Sequence, residues 1–220
     1  NELYDIISLW IMHTYVYCIF RYVPYIWLNA EAGSGKSTVL DVIVQYSFNG
    51  LSNVGSTPPV IFRSIENNGS TLAIDEFENM VGEDKNSILT ILKVGFKSGA
   101  IVSRCSEKNY EPNEFSAFSP KIFAGISGID NVLLTRCIKI NMKMAKDKSS
   151  ISDFDLNTPE KKVETAKIKN DLYIFGLKYV DKINQLYNDN NLFSLEQDYT
   201  PREKDLWQPL MAIAKVVDSE

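Results

Sequence analysis

Ala30-Glu31-Ala32-Gly33-Ser34-Gly35-Lys36-Ser37-Thr38 is the stretch from which the rest of the chain can be read. It follows a short apolar run, Tyr25-Ile26-Trp27-Leu28, with the character of a buried strand. It precedes Val39-Leu40-Asp41-Val42-Ile43-Val44, which continues as a helix. Strand, glycine-rich loop ending in Gly-Lys-Ser, then helix is the layout of a phosphate-binding P-loop. Gly33 and Gly35 let the backbone curl so that its N–H groups point at phosphate oxygens, with Ala32, Ser34 and Thr38 completing the cradle. Lys36 reaches the β- and γ-phosphates, and the Ser37 hydroxyl is a ligand for Mg²⁺. The helix N-terminus adds roughly half a positive charge beneath them. Ala30 stands where the usual pattern has its first glycine.

A second stretch settles the chemistry. Thr71-Leu72-Ala73-Ile74-Asp75-Glu76 is an apolar run ending in paired acids, the pattern of a buried parallel strand that stops at a site. Alone, the two acids are a solvated turn. After a P-loop they are a Walker B motif: Asp75 serves the Mg²⁺, and Glu76 polarises the water that attacks the γ-phosphate. A catalytic carboxylate beside the metal aspartate favours an ATPase over a small-molecule kinase.

Composition sets the outer bounds. With 220 residues and 45% hydrophobic content the chain suffices for one α/β domain and a small appendage. A net charge of −5 excludes a global basic footprint for nucleic acid, so any such surface is local or created by assembly. Cys18, Cys105 and Cys137 are odd in number and scattered, with no zinc spacing, which predicts reduced thiols in a cytoplasmic protein. Ile6 to Phe20 carries no formal charge but is too short to span a bilayer and lacks a basic start, so no membrane association is expected. Leu3, Ile7, Trp10, Thr14 and Tyr17 recur at helical spacing, giving a helix packed before the first strand, with His13 a core or pocket-edge residue rather than a ligand. The chain neither begins with Met nor ends outside a helical pattern, as expected of a region of a longer protein.

The remaining elements follow in order. Leu51–Val54 is a short strand, Val60–Ile65 a helical segment behind Pro58-Pro59, and Asp84–Lys97 a helix ended by Ser98-Gly99. Ile101–Cys105 and Phe115–Phe118 form a hairpin with its tip at Lys108–Asn113. Lys121–Ile126 and Leu133–Ile140 supply the last two core strands. Asp147–Pro159 is a polar linker, and Glu160–Leu186 is a long helix with Val163, Ile168, Leu172, Phe175, Leu177, Val180 and Ile183 apolar. Thr200-Pro201-Arg202 opens the final helix, with Thr200 as cap and Pro201 in its first turn.

This order resembles an AAA+ ATPase: P-loop, Walker B, inserted hairpin, a further strand, an arginine after a short helix, and a helical lid. It is most similar to the ATPase domains of primase–helicase and replication proteins of phages, plasmids and integrative elements. The resembling residues are Leu9-Trp10 and His13-Thr14, Val60-Ile61-Phe62-Arg63, Thr71 to Glu76, Gly95 to Ala100 with Arg104, Phe118 to Lys121, and Arg202 with Trp207-Gln208-Pro209-Leu210. The resemblance implies a P-loop fold with a five-stranded parallel core sheet, divided into an N-terminal helix (1–24), an α/β core (25–145) and a linker with lid (146–220).

Residue roles come with it. Arg136 resembles an arginine finger that enters a neighbouring subunit's site, where otherwise it is a strand-end arginine. Arg202 resembles a lid arginine that contacts phosphate from above, where otherwise it is a helix-start surface residue. Ser127 takes the place of a sensor residue more usually Asn or Thr. The hairpin resembles one that contacts DNA in ring helicases, with Lys97, Arg104 and Lys108 for phosphates and Tyr110 for stacking. Glu107, Glu111 and Glu114 dilute that charge, which leaves a solvated hairpin or a protein contact equally open. The implied function is a homo-oligomeric, hexameric ring motor on DNA, a replicative helicase of a mobile element. A loader, initiator or defence ATPase acting on protein partners, and a site that binds nucleotide without turnover, are the alternatives.

Overall fold

The computed structural model describes residues 2–31, 33–52, 57–79, 82–105, 112–126, 129–144, 155–189, 192 and 199–219, without the side chains of Glu78, Asp84, Arg104, Cys105 and Pro112. Five strands form one parallel sheet: β1 (Tyr25–Ala30), β2 (Leu51–Ser52), β3 (Leu72–Ile74), β6 (Lys121–Gly125) and β7 (Cys137–Met142). Their order is β2-β3-β6-β1-β7. β1 is therefore flanked on both sides, paired through Ile26 with Ile122 on one side and with Ile138 on the other. The strand carrying the acids, β3, lies one strand away, beyond β6. This agrees with the parallel α/β architecture expected of a P-loop fold.

Buried strands explain the sequence pattern. β3 is buried along its whole length and so is β6, which is why Leu72–Ile74 and Ile122-Phe123-Ala124 are apolar runs rather than alternations. Helices α2 (Lys36–Tyr46), α3 (Pro58–Asn68) and α4 (Gly82–Val94) cover the sheet together with α1 (Glu2–Thr14). One core cluster joins Tyr25, Trp27, Phe77, Ile91, Phe96 and Phe123, and another joins Trp10, Leu28, Leu40, Ile122 and Ile140.

Several element boundaries differ from expectation. Leu133-Leu134, read as strand, belongs to the short helix α5 (Asn131–Leu134). Asp130 caps it by accepting a hydrogen bond from Leu133 N–H at 2.7 Å, and β7 begins only at Cys137. The hairpin pairs β4 (Ile101–Cys105) with β5 (Pro112–Ser116), so its return starts earlier than Phe115. Pro112 is tolerated because it is the first residue of its strand. The helix α4 ends at Val94 because Gly95 turns the chain against Ala117: a Cβ on Gly95 would lie 2.0 Å from the Ala117 carbonyl oxygen. Asn53 and Val54, expected in the second strand, lie outside the described residues.

The C-terminal helices are α6 (Pro159–Tyr187) and α7 (Pro201–Val217). Thr200 and Glu203 form a reciprocal capping box at the start of α7, as its sequence demands. The two helices pack on each other and on the segment after α1 through Val16, Phe20, Ile183, Ala212, Ile213 and Val216. Of the apolar residues along α6, Val163 and Leu177 are 72% and 82% exposed. The inward stripe runs through Thr165, Gly176 and Ile183, and Leu177 is one residue, about 100°, off that line.

Candidate functional site

The P-loop curls between β1 and α2 with Gly33 at φ 74° and Gly35 at φ 81°, backbone angles that favour glycine. Gly35 precedes α2, and no side chain caps the helix there. A helix start without a side-chain cap suits an anion, because first-turn N–H groups have no partner within the helix. Ser34 Oγ in the same loop is buried without a hydrogen-bond partner among the described residues. Ala32 lies outside the described residues. Thr38, one residue beyond Ser37, begins the wall of a cavity of about 410 Å³ along α2 that also meets Asp41, Gln45, Asp155 and Asn157.

The two motifs, 38 residues apart, converge. Ser37 Oγ donates a hydrogen bond to Asp75 Oδ2 at 2.8 Å, and Lys36 Nζ lies 3.5 Å from Asp75 Oδ1. The pair is partly buried, with side-chain exposures of 14% for Lys36 and 20% for Asp75, so the electrostatic coupling is only partly screened. A hydroxyl and a carboxylate side by side are hard oxygen donors of the kind Mg²⁺ takes alongside phosphate oxygens and water. Among the described residues no group of three or more His, Cys, Asp or Glu is placed to hold a metal ion by itself. The donor set therefore fits a cation shared with a phosphate ligand.

Glu76 follows Asp75 at a sharp bend, with φ 50°. Its N–H donates to Asp75 Oδ1 at 2.8 Å, and its carboxylate Oε2 accepts from Asn79 Nδ2 at 3.1 Å. The bend turns the Glu76 side chain into solvent, where a carboxylate has access to water. Asn79 escaped the sequence reading because it lies three residues past the motif, in a short 3₁₀ turn visible only once the backbone is traced. On β1, Asn29 Nδ2 donates to Asn141 Oδ1 at 2.8 Å, bracing the same end of the sheet.

Arg136 and Arg202 are elsewhere. Arg136 precedes β7, and its carbonyl accepts from Tyr25 N–H at 3.0 Å, at the N-terminal end of β1. Its Nε and Nη1 are buried with no hydrogen-bond partner among the described residues. Arg202 lies 5.1 Å above the Phe96 ring and 3.3 Å from Asp205. Phe96 packs on Tyr22 and Tyr25, so Arg202 also sits at the N-terminal end of the sheet. A six-residue strand separates that end from the P-loop by about 16 Å. The structure does not bring Arg202 over the phosphate loop of its own chain. Within this chain, stacking on Phe96 and pairing with Asp205 engage its guanidinium.

The hairpin rests on α3. Phe62 and Phe115 rings are 5.9 Å apart, and Glu66 accepts a hydrogen bond from Ser116 N–H. Lys97 is exposed at the hairpin base, bridged to Tyr22, and Arg104 faces Asn113 in the strand register. Lys108, Tyr110 and Ser127 lie outside the described residues, as does the side chain of Arg104.

His13 is fully buried between Trp10 and Phe20, its ring stacked 5.3 Å from Phe20. Burial pulls its imidazole down to about 3. It is a neutral core residue, as its helical placement indicated. Lys121, the first residue of β6, is also fully buried; its Nζ donates to the Ala117 and Ser119 carbonyls at 2.7 and 2.9 Å. Desolvation holds the Lys121 ammonium well below the usual lysine range. No helix among the described residues is long and apolar enough to cross a membrane.

No family model matches the chain, and no curated protein matches it. Solved structures do match, among them a crystal structure of JCV helicase bound to a thiazolopyridine-containing acetamide. That match has a TM-score of 0.41 and 13% sequence identity over 99% of this chain. The chain spans 61% of the JCV helicase chain.

Proposed function

We propose that this chain binds ATP with Mg²⁺ and hydrolyses it, as the ATPase core of a DNA motor. The observation that carries the reading is the meeting of Ser37, Lys36 and Asp75 at the uncapped start of α2. Free N–H groups and Lys36 bind the phosphates. Mg²⁺ held beside Ser37 and Asp75 would neutralise phosphate charge. Glu76 accepts a proton from water as the water oxygen bonds to the γ-phosphorus. The bond from that phosphorus to the β–γ bridging oxygen breaks, and its electrons leave with ADP.

The finer reading follows the AAA+ resemblance. Subunits form a ring, Arg136 serves the neighbour's site, and the hairpin at β4 and β5 engages DNA through Lys97, Arg104 and Lys108 with Tyr110 at its tip. This suits a cytoplasmic replicative helicase of a mobile element, with Ser127 beside the nucleotide. A net charge of −5 favours the second reading, an ATPase that remodels protein partners. Steady-state ATPase rates with and without single-stranded DNA, over a range of protein concentrations, separate the two. A rate per subunit that rises with both supports the ring motor. A DNA-indifferent rate transfers the hairpin to a protein contact, and absence of metal-dependent turnover overturns the ATPase itself.

A further inference from the structure

Glu76 occupies a backbone conformation that side chains with a Cβ rarely adopt, at φ 50°. Non-glycine residues in that region persist where their surroundings hold them. Here the holding groups are identifiable. Glu76 N–H donates to Asp75 Oδ1 at 2.8 Å, and Asn79 N–H donates to the Glu76 carbonyl at 2.9 Å. The Asn79 side chain then returns to the carboxylate, its Nδ2 donating to Oε2 at 3.1 Å. The turn that carries Asn79, Phe77–Asn79, is rooted in the core. Phe77 is fully buried, its ring 5.7 Å from Phe123 on β6.

One end of the turn is thus fixed by packing, and the other reaches the carboxylate. Asn79 itself is exposed, so its side chain fills no core volume. A glutamate side chain in solvent samples many rotamers, and a base acts fastest when its oxygen is already aimed at the proton it takes. We propose that Asn79 is a positioning residue for Glu76: its amide holds Oε2, leaving Oε1 to face the attacking water. This rests on the assignment of Glu76 as the base. No other residue of the turn is seen to contact the Glu76 side chain among the described residues.

The test is steady-state Mg²⁺-ATP hydrolysis, with single-stranded DNA present, by wild type, Asn79→Ala, Asn79→Gln, Glu76→Gln, Glu76→Asp and the Glu76→Asp/Asn79→Ala pair. Asn79→Ala is expected to lower kcat about tenfold at unchanged KM, the signature of an interaction used in the transition state. Asn79→Gln, which keeps the amide donor, recovers most of that loss. The shorter carboxylate of Glu76→Asp cannot reach the amide, so adding Asn79→Ala there costs less than about twofold. Asn79→Ala at wild-type kcat, KM rising in step with the loss of kcat, or an equal tenfold loss in the Glu76→Asp background each overturns the proposal. Failure of the underlying assignment looks different: Glu76→Gln then turns over as fast as wild type, whatever Asn79 does.

Discussion

The two ends of the parallel sheet both carry cations, and they use them in opposite ways. At the C-terminal end, Lys36 is partly exposed beside Asp75, and the helix start next to it has no side-chain cap. At the N-terminal end, Lys121 is fully buried over the Tyr25 ring at 5.1 Å, and Arg202 lies on Phe96. Lys121, Tyr25, Leu72 and Cys137 lie on neighbouring strands at that end. Burial pushes the Tyr25 hydroxyl and the Cys137 thiol up, and the Lys121 ammonium down, so each favours its neutral form. One end sets its polar groups at a solvent-facing, uncapped helix start, whereas the other buries its polar groups among aromatic rings. Charge at a strand end is informative about chemistry only when solvent reaches it.

The sharpest way to break this contrast is at the first end. Lys36→Ala is expected to weaken ATP binding by about a hundredfold or more, and Glu76→Gln to bind ATP with kcat down about 10²–10⁴-fold. Calorimetric affinity and steady-state turnover check both. Wild-type turnover in Glu76→Gln would remove the base from this end of the sheet.

Arg136 tests whether the two ends meet between subunits. Lying at the N-terminal end of its own sheet, it can serve a phosphate site only in a neighbour. Arg136→Ala should lose about 10³-fold in kcat and regain activity when mixed with Lys36→Ala. Absence of rescue in a mixture shown to co-assemble would leave Arg136 a residue of the strand end.

A smaller effect comes from His13. Its folded value, about 3, lies below the unfolded value of 6.5, so the unfolded chain takes up the proton first. Its neutral-state stability is fully present above pH 6.5 and falls by about 1.4 kcal/mol per pH unit as pH drops toward 3. Chemical denaturation at pH 7.5 and 5.5 should show that slope in wild type and its absence in His13→Leu. An equal slope in both proteins would place the His13 ring in contact with water. Smallest is Arg202→Ala, expected to cost about 0.5–1 kcal/mol with the ATPase rate unchanged. A large loss of rate with intact stability would return Arg202 to the phosphates.

Much of the candidate site's local structure was legible because local pattern and chemistry coincide. Gly33, Gly35, Lys36 and Ser37 lie within one short loop, and Asp75-Glu76 end a continuous apolar run, so period and motif agree. The α7 start was legible for the same reason: Thr200 and Pro201 mark the helix start within one turn, and the structure adds Glu203 to the cap. Leu133-Leu134 was misplaced because a short apolar run fits strand and helix alike, and the deciding group was the Asp130 cap. Which apolar residues of α6 are buried was not legible, because a long helix has several apolar stripes and contact with α7 and with Val16 and Phe20 selects one.

What the sequence by itself determined is the set of parts: a parallel α/β core, a glycine-rich loop and a pair of acids, each encoded within a few consecutive residues. Tertiary structure alone decided their relations. It placed Asp75 against Ser37, 38 residues away along the chain. It also put Arg136 and Arg202 at the end of the sheet away from the loop. The physical reason is distance along the chain. Hydrogen bonds within a turn are written in neighbouring residues, whereas strand order and the face a helix buries depend on surfaces that meet only when the core closes.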